Sequence, residues 1–196
     1  MLKRYIHGAF GALLTASMVL MVAPVAKADT VDLNLNNDSV QFLYISPFTS
    51  DEGLGGASLE AGMIYTEAND YLGIVGLNIK GEAGSDSPGL VAGVGVRGYG
   101  ISTDRADIGA LAIGGLVQYS PPSLSRLGLV GQLYFAPEIL TFMDGKNLLS
   151  MEFRVEYKVL TQAVVYVGYR DIESDLDGGG SIDVDSGGHL GLRFMF

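Results

Sequence analysis

The feature that most constrains this chain is an alternation of apolar and polar residues with a period of two. It is clearest at 149–159, where odd positions are apolar and even positions polar. The apolar set is Leu149, Met151, Phe153, Val155, Tyr157 and Val159, and the polar set is Ser150, Glu152, Arg154, Glu156 and Lys158. Successive side chains of a β-strand point to opposite faces, whereas a helix would scatter both sets around its circumference. The segment is therefore predicted to be a strand with one apolar and one polar face.

Similar segments recur along the chain after residue 56. They lie at about 57–66, 71–81, 90–100, 108–119, 127–136, 163–172 and 187–196. Most are separated by residues typical of turns, such as Ala68-Asn69-Asp70 and Asp144-Gly145-Lys146-Asn147. Each is near the roughly 9–11 residues that a tilted membrane-spanning strand requires. The acid-rich stretch from Asp171 to Asp185 is interpreted as a loop.

The alternation changes phase near residue 37, and this predicts a hairpin. Val31, Leu33 and Leu35 are apolar at odd positions, whereas Val40, Phe42 and Tyr44 are apolar at even ones. A two-residue turn at Asn37-Asp38 would pair Leu35 with Val40, Leu33 with Phe42 and Val31 with Tyr44 on one face. The strand count then reaches about ten, with eight as the smaller count that the pattern allows.

The first 28 residues have the pattern of an export signal. Lys3 and Arg4 precede an apolar run from Ala9 to Pro24, and Ala26-Lys27-Ala28 supplies the small residues of a cleavage site. We expect residues 1–28 to be a cleaved signal peptide and residues 29–196 to form a single domain.

Composition narrows the choice of architecture. Acidic residues outnumber basic ones by 22 to 12, so nucleic acid is not an expected partner. Cysteine is absent, and 48% of the residues are apolar, yet no apolar run after Pro24 approaches the roughly 18 residues of a membrane-spanning helix. Two all-β architectures remain: a soluble periplasmic β-sandwich with a binding function, and a closed antiparallel up-and-down transmembrane β-barrel.

The polar face favours the barrel, because it mixes charged residues with small ones, as a narrow lumen requires. The polar residues expected to face that lumen are Glu60, Lys80, Arg97, Gln118, Gln132, Glu152, Arg154, Glu156, Lys158, Arg170, His189 and Arg193.

The apolar face favours the barrel for a second reason, since aromatic residues lie near its segment ends as they do in membrane-interface girdles. They are Phe42, Tyr65, Tyr71, Tyr119, Phe135, Tyr157 and Tyr169. The chain also ends on an alternating strand with a terminal aromatic residue. Leu190, Leu192, Phe194 and Phe196 form a pattern characteristic of the signal that the barrel-assembly machinery reads.

With these segments laid out, the chain resembles the YfaZ family of small predicted outer-membrane proteins over essentially its whole mature length. The resemblance is carried by residues 31–42 (VDLNLNNDSVQF), 89–96 (GLVAGVGV), 128–137 (GLVGQLYFAP), 154–157 (RVEY), 166–170 (YVGYR) and 187–193 (GGHLGLR). These are strand patterns rather than active-site motifs. The resemblance implies an outer-membrane location and a barrel, and no defined biochemical activity.

Residues capable of catalysis or metal binding are few. His189 is the one histidine after the leader, so a Ser-His-acid triad would have to use it; a lumen or rim residue is the preferred interpretation. Oxygen ligands for Ca²⁺ or Mg²⁺, or a cation bridge to lipopolysaccharide, are offered by Asp175, Asp177, Asp183 and Asp185, in a loop expected on the extracellular side. No cofactor is expected.

We therefore expect an outer-membrane barrel that is either structural or a narrow pore for small polar solutes, and not an enzyme. Its expected partners are outer-membrane lipid, lipopolysaccharide and the barrel-assembly machinery. The soluble sandwich and a barrel-embedded enzyme using His189 remain as alternatives.

Overall fold

A computed structural model describes residues 29–47, 56–84 and 87–196, and the predicted signal peptide lies outside them. The described chain is almost entirely β-structure. Its strands are β1 (Thr30–Asn36), β2 (Ser39–Pro47), β3 (Gly56–Thr66), β4 (Tyr71–Glu82), β5 (Leu90–Ser102), β6 (Asp107–Tyr119), β7 (Leu127–Ala136), β8 (Thr141–Met143), β9 (Gly145–Leu160), β10 (Ala163–Leu176) and β11 (Ser181–Met195).

The strands form one closed antiparallel sheet. Apart from the short β8, neighbours in the chain are neighbours in the sheet, and β1 pairs with β11, so that Thr30 faces Met195 and the ring closes. The short β8 continues the position of β7 in the ring, because both strands pair with β6. The result is the predicted ten-stranded up-and-down barrel, and the sandwich alternative is wrong because a sandwich needs two separate sheets.

The predicted N-terminal hairpin is confirmed in its register. Leu35 faces Val40 and Leu33 faces Phe42 across the turn at Asn37-Asp38. These side chains lie on the outer face of the barrel, where Leu33 and Leu35 are exposed. The phase change in the sequence therefore reports a tight turn that keeps the apolar residues of both strands on the same side.

The acid-rich stretch from Asp171 to Asp185 is not a loop, and this prediction was wrong. β10 continues to Leu176, β11 begins at Ser181, and only the intervening four residues turn. Ile172 and Ile182 are buried inside the barrel, whereas Glu173 and Asp183 face each other on the outside. A register shift after Ile172 buries both Val184 and Asp185, which hides the alternation in the sequence.

The seventh position in the ring is interrupted. β7 ends at Ala136, and Pro137, which has no N–H to donate to a neighbouring strand, precedes a short 3-10 turn at Glu138–Leu140. The chain then rejoins the edge of β6 as β8, and Met143 has a left-handed backbone (φ 67°) just before the turn into β9. The sequence pattern did not predict β8.

In the described ranges, no helix has the length and apolar character needed to span a membrane. The two short 3-10 turns, Pro122–Leu124 and Glu138–Leu140, connect strands.

The barrel has a terminal end and a distal end. The terminal end carries Thr30 and Met195, and the distal end carries the turns at 37–38, 67–70, 103–106 and 177–180. Buried residues lie on the inner face, where they fill the lumen, and the outer face is apolar and exposed. The candidate site therefore lies inside the barrel.

Candidate functional site

The structure places all twelve predicted lumen residues on the inner face. Alternation along each strand puts them there, since their immediate neighbours are exposed outer-face residues such as Leu59, Val96, Leu133 and Phe153. All seven close pairs of acidic and basic side chains found in the described part of the chain lie in this lumen. They form three groups.

The first group is centred on Arg97. Its Nε donates to Glu60 Oε1 at 2.5 Å, and its Nη2 donates to Gln132 Oε1 at 3.1 Å. The guanidinium also lies 4.0 Å from the centroid of the Tyr134 ring, whose hydroxyl donates to Asn78. This group links β3, β4, β5 and β7 across the barrel, and both members of the ion pair are buried.

The second group is a chain of alternating charges on β9, β11 and β1. Arg154 binds Glu152 at 3.0 Å and Glu156 at 2.7 Å. Glu156 also accepts from Arg193 at 3.0 Å, and Arg193 binds Asp32 at 2.9 Å. Every charge in this group has an opposite partner, which is what makes a buried ionic network tolerable.

The third group holds Asp185. Arg170 Nε donates to its Oδ2 at 2.5 Å, and the Ser39 hydroxyl donates to its Oδ1 at 2.7 Å. Arg170 also donates to Gln41 on β2. Asp185 was predicted as a metal ligand on an extracellular loop. The structure instead places it inside the barrel, where an arginine neutralises it.

The other three predicted cation ligands do not converge on one point. Asp175 accepts from Asn147 Nδ2 at 2.7 Å, Asp177 lies in the turn, and Asp183 faces outward opposite Glu173. No group of three or more metal-binding side chains occurs within residues 29–47, 56–84 and 87–196. The register shift in β11 separates Asp185 from the others, because it turns this side chain inward while Asp183 stays on the outer face.

His189 is fully buried in the second group. Its Nε2 lies 3.4 Å from Glu152 Oε1, and its ring meets the Tyr166 ring edge-on at 5.9 Å. Neither ring nitrogen makes a hydrogen bond to a serine or to any other described residue. The ring packs over Gly168, where a Cβ atom would collide with it, so the glycine supplies the space that the histidine occupies.

Lys80 and Lys158 differ from the four arginines of the lumen, which are all paired with carboxylates. Lys80 has no ion pair among the described residues, it is exposed, and it lies toward the terminal end of β4. Lys158, also on the inner face and exposed, lies at the same end of β9. The lumen therefore opens to solvent at its terminal end and is lined there by two lysines.

Apolar side chains fill much of the distal half of the lumen beside the Arg170–Asp185 group, and the sequence pattern did not predict this distal cluster. One buried cluster crosses the barrel between eight strands: Ile64, Leu72, Ile74, Tyr99, Ile101, Ala106, Ile108, Ala110, Ala112, Tyr134, Ala136, Leu148, Ile172, Ile182 and Val184. Some segments of the sequence are apolar at both odd and even positions, such as Tyr71 to Val75. Such runs indicate a strand covered on both faces.

The outer wall carries the predicted aromatic residues. Tyr65, Tyr71, Phe135 and Tyr169 are exposed there, and Tyr119 and Tyr157 are exposed nearer the terminal end. The predicted assembly residues Leu190, Phe194 and Phe196 are exposed as well, and Leu192 is half-buried. An apolar surface of this extent is far larger than the few hundred Å² that soluble monomers leave uncovered.

A family model described as YfaZ precursor matches residues 11–196. No curated protein matches the chain in sequence. Two solved structures are similar to it at low identity. One comes from the study "Unveiling the Mechanism Behind the in-meso Crystallization of Membrane Proteins" and has 14% identity, 86% coverage of this chain, 83% of that chain and a TM-score of 0.43. The other is the outer membrane channel DcaP of Acinetobacter baumannii, with 13% identity, 92% coverage of this chain, 67% of that chain and a TM-score of 0.44.

Proposed function

The chain belongs to the YfaZ precursor family, and from that premise and the geometry of its barrel we propose that it is an outer-membrane protein with a closed, non-conducting lumen. The observation that carries this proposal is the filled lumen, with three groups of paired charges and an apolar distal cluster that packs beside them.

The outer wall supports the membrane location. Its exposed side chains are apolar on every long strand, and a barrel without sheet edges satisfies its backbone hydrogen bonds internally, as hydrocarbon surroundings require. On β10 and β11, the acidic side chains of Glu173 and Asp183 lie on the outer face toward the distal end. They mark the height at which the wall leaves the hydrocarbon region in the proposed orientation.

The lumen supports a structural role rather than a pore. A conducting path needs water along the whole axis, and the distal cluster has side chains such as Tyr134 and Leu148 with no solvent exposure. In the three charged groups, Arg97, Arg154, Arg170 and Arg193 are each bound to a carboxylate. We propose that these pairs tie the wall together across the lumen.

Several partners follow from the proposed location. The apolar wall would contact outer-membrane lipid and lipopolysaccharide. The last strand, which ends in Phe194 and Phe196, would be read by the barrel-assembly machinery.

We also propose that the chain is not an enzyme, because His189 has neither a bonded nucleophile nor solvent access. Replacing His189 with Ala is expected to change stability and to leave any cellular phenotype otherwise unchanged. Loss of a hydrolytic activity at normal levels of folded barrel would contradict this part of the proposal.

Membrane fractionation tests the location. The protein is expected in the outer-membrane fraction, with a gel mobility that changes on heating, because closed barrels resist detergent until they are unfolded. Recovery with soluble periplasmic contents, together with unchanged mobility, would overturn the outer-membrane assignment.

Planar-bilayer recording tests the closed lumen. The folded protein is expected to give no steady current, whereas a Tyr134→Ala, Leu148→Ala double variant, which removes two fully buried side chains of the distal cluster, is expected to conduct. Tyr119→Ala removes an aromatic residue from the outer face and is the matched control. Steady single-channel currents from the unmodified protein would instead establish the narrow pore.

A further inference from the structure

A groove of about 800 Å³ crosses the outer wall of the barrel from β5 to β10. Its floor contains two outward-facing glycines, Gly115 on β6 and Gly131 on β7, which leave the wall one side chain thinner than elsewhere. Its apolar walls are formed by Ile113, Val117, Leu133, Phe135, Met151 and Phe153. This volume falls in the range of about 300–1,000 Å³ that is common for small-molecule sites.

The register explains why the groove is continuous. Gly131 lies between Val117 on one side and Phe153 on the other. Gly115 is followed across the sheet by Leu133 and then by Met151. The two glycines therefore lie in adjacent cross-strand rows. The space that side chains would fill at these two positions forms one depression flanked by larger residues.

The groove ends at a polar notch on β10 and β11. Asp171 lines the groove and faces Ser186 across the strands, and Tyr169 Oη lies 3.1 Å from Ser186 Oγ. In the part of the chain that the structure describes, no ion pair neutralises Asp171. A carboxylate beside an apolar, lipid-facing surface is costly without a donor or a cation next to it.

We propose that this groove binds one membrane phospholipid, with an acyl chain along the glycine floor and a head group bearing N–H donors at Asp171. The inference rests on the proposed membrane location, because only a bilayer presents hydrocarbon to this wall. Two features of the site select the occupant: the groove accepts an apolar chain, and the Asp171 carboxylate on the outer face has the charge opposite to that of an ammonium group.

The amount of lipid that stays bound to the purified protein measures binding in the groove directly. The full chain is expressed in cells, purified from membranes in mild detergent and incubated with equal amounts of two phospholipids, and the bound lipids are then counted by native mass spectrometry. Phosphatidylethanolamine and phosphatidylcholine with the same acyl chains are the probes, since both are zwitterionic but only the first carries N–H donors. We expect one phosphatidylethanolamine per barrel and a preference of about tenfold, the size of one good charge-assisted hydrogen bond.

Filling the floor tests the acyl-chain part of the site. Gly131→Leu is expected to abolish retention, and the barrel should tolerate it because a Cβ atom at Gly131 meets nothing within 4 Å. Gly100→Leu is the matched control, since a Cβ atom at this outer-face glycine of β5 also meets nothing within 4 Å and it lies outside the groove. Equal retention by both variants and the unmodified protein would overturn the site.

Removing the charge tests the head-group part. Asp171→Asn keeps the side-chain size and is expected to bring both lipids to equal retention, whereas Asp183→Asn, outside the groove on β11, should leave the preference intact. A preference that survives Asp171→Asn, or that is absent from the unmodified protein, would overturn the assignment of Asp171. Failure of the proposed membrane location would appear earlier and separately, as absence of the protein from the membrane fraction.

Discussion

Asp32 and Arg193 are register partners across the seam where the first and last strands meet, and they are joined by two contacts of 2.9 Å. They are 161 residues apart in the sequence. The carboxylate of Asp32 also accepts a hydrogen bond from Tyr166 on β10. One buried ion pair thus connects the closing seam of the barrel to the charge network inside it.

Asp32→Asn is expected to weaken the seam. The amide keeps the shape but removes the charge opposite Arg193, so we expect the free energy of unfolding to fall by about 1–3 kcal/mol. Urea unfolding in lipid vesicles, followed by gel mobility, measures this. Asp183→Asn on the outer face of β11 is the control and should stay within about 0.5 kcal/mol of the unmodified protein. Equal effects of the two variants would show that the seam pair adds nothing.

Arg97→Met is expected to lower the free energy of unfolding by more than the loss of the arginine's own contacts would. Glu60 would remain buried without a partner, and breaking such a pair costs about 3–5 kcal/mol. The double variant Glu60→Leu, Arg97→Met removes both charges and should recover most of that stability. The same unfolding assay measures all three proteins. If the double variant is no more stable than Arg97→Met alone, the uncompensated charge of Glu60 does not explain the loss of stability.

Gly191→Ala is expected to strain the lumen. The Tyr166 ring lies directly over Gly191, so an added Cβ atom would collide with the ring. Overpacking of this kind costs about 1–3 kcal/mol. Gly131→Ala, where the new Cβ atom meets nothing within 4 Å, should cause no comparable loss. The urea concentrations at the unfolding midpoints of the two variants, each compared with the unmodified protein, test the prediction. Equal shifts of the two midpoints would contradict it.

Phe196→Ser is expected to impair assembly in cells and to leave the finished barrel stable. The Phe196 side chain is exposed, and the strand is held there by the backbone bond from Phe196 N to Asp29 O at 2.9 Å, which serine also makes. We expect a several-fold lower amount in the membrane fraction and an unfolding free energy within about 0.5 kcal/mol of the unmodified protein. Phe135→Ser, an exposed outer-face change away from the C-terminus, controls for lost apolar surface. Equal losses of both variants in cells would argue against a C-terminal signal.

The fold was readable from the sequence because its strands obey a local rule. Leu149 to Val159 separates two faces over eleven positions, and the phase change at Asn37-Asp38 predicted the register of the first hairpin. The rule failed where the pattern is disturbed locally. The register shift after Ile172 buries two consecutive residues, and Pro137 interrupts the seventh strand, so β8 and the distal parts of β10 and β11 were missed.

The candidate site was only partly readable. Periodicity identified which charged residues share the inner face, including Glu60, Arg97 and Arg154. It did not identify their partners, nor the inward role of Asp32, Tyr134 and Tyr166. Asp185 was predicted to be a metal ligand because other acidic residues lie near it in the sequence. The direction of its side chain depends instead on β11, the strand that carries it.

What the sequence determined by itself is the side on which each residue lies, because alternation along a strand depends only on immediate neighbours. What only the tertiary structure decided is how those sides meet. Closing ten strands into a ring sets which residues meet across the lumen, and so brings opposite charges together in three groups and apolar side chains together in the distal cluster. The register of β6, β7, β9 and β10 likewise brings Gly115, Gly131 and Asp171 into one groove on the outer wall. These relationships join residues far apart in the chain, and they depend on strand register around the whole ring, which no local pattern encodes.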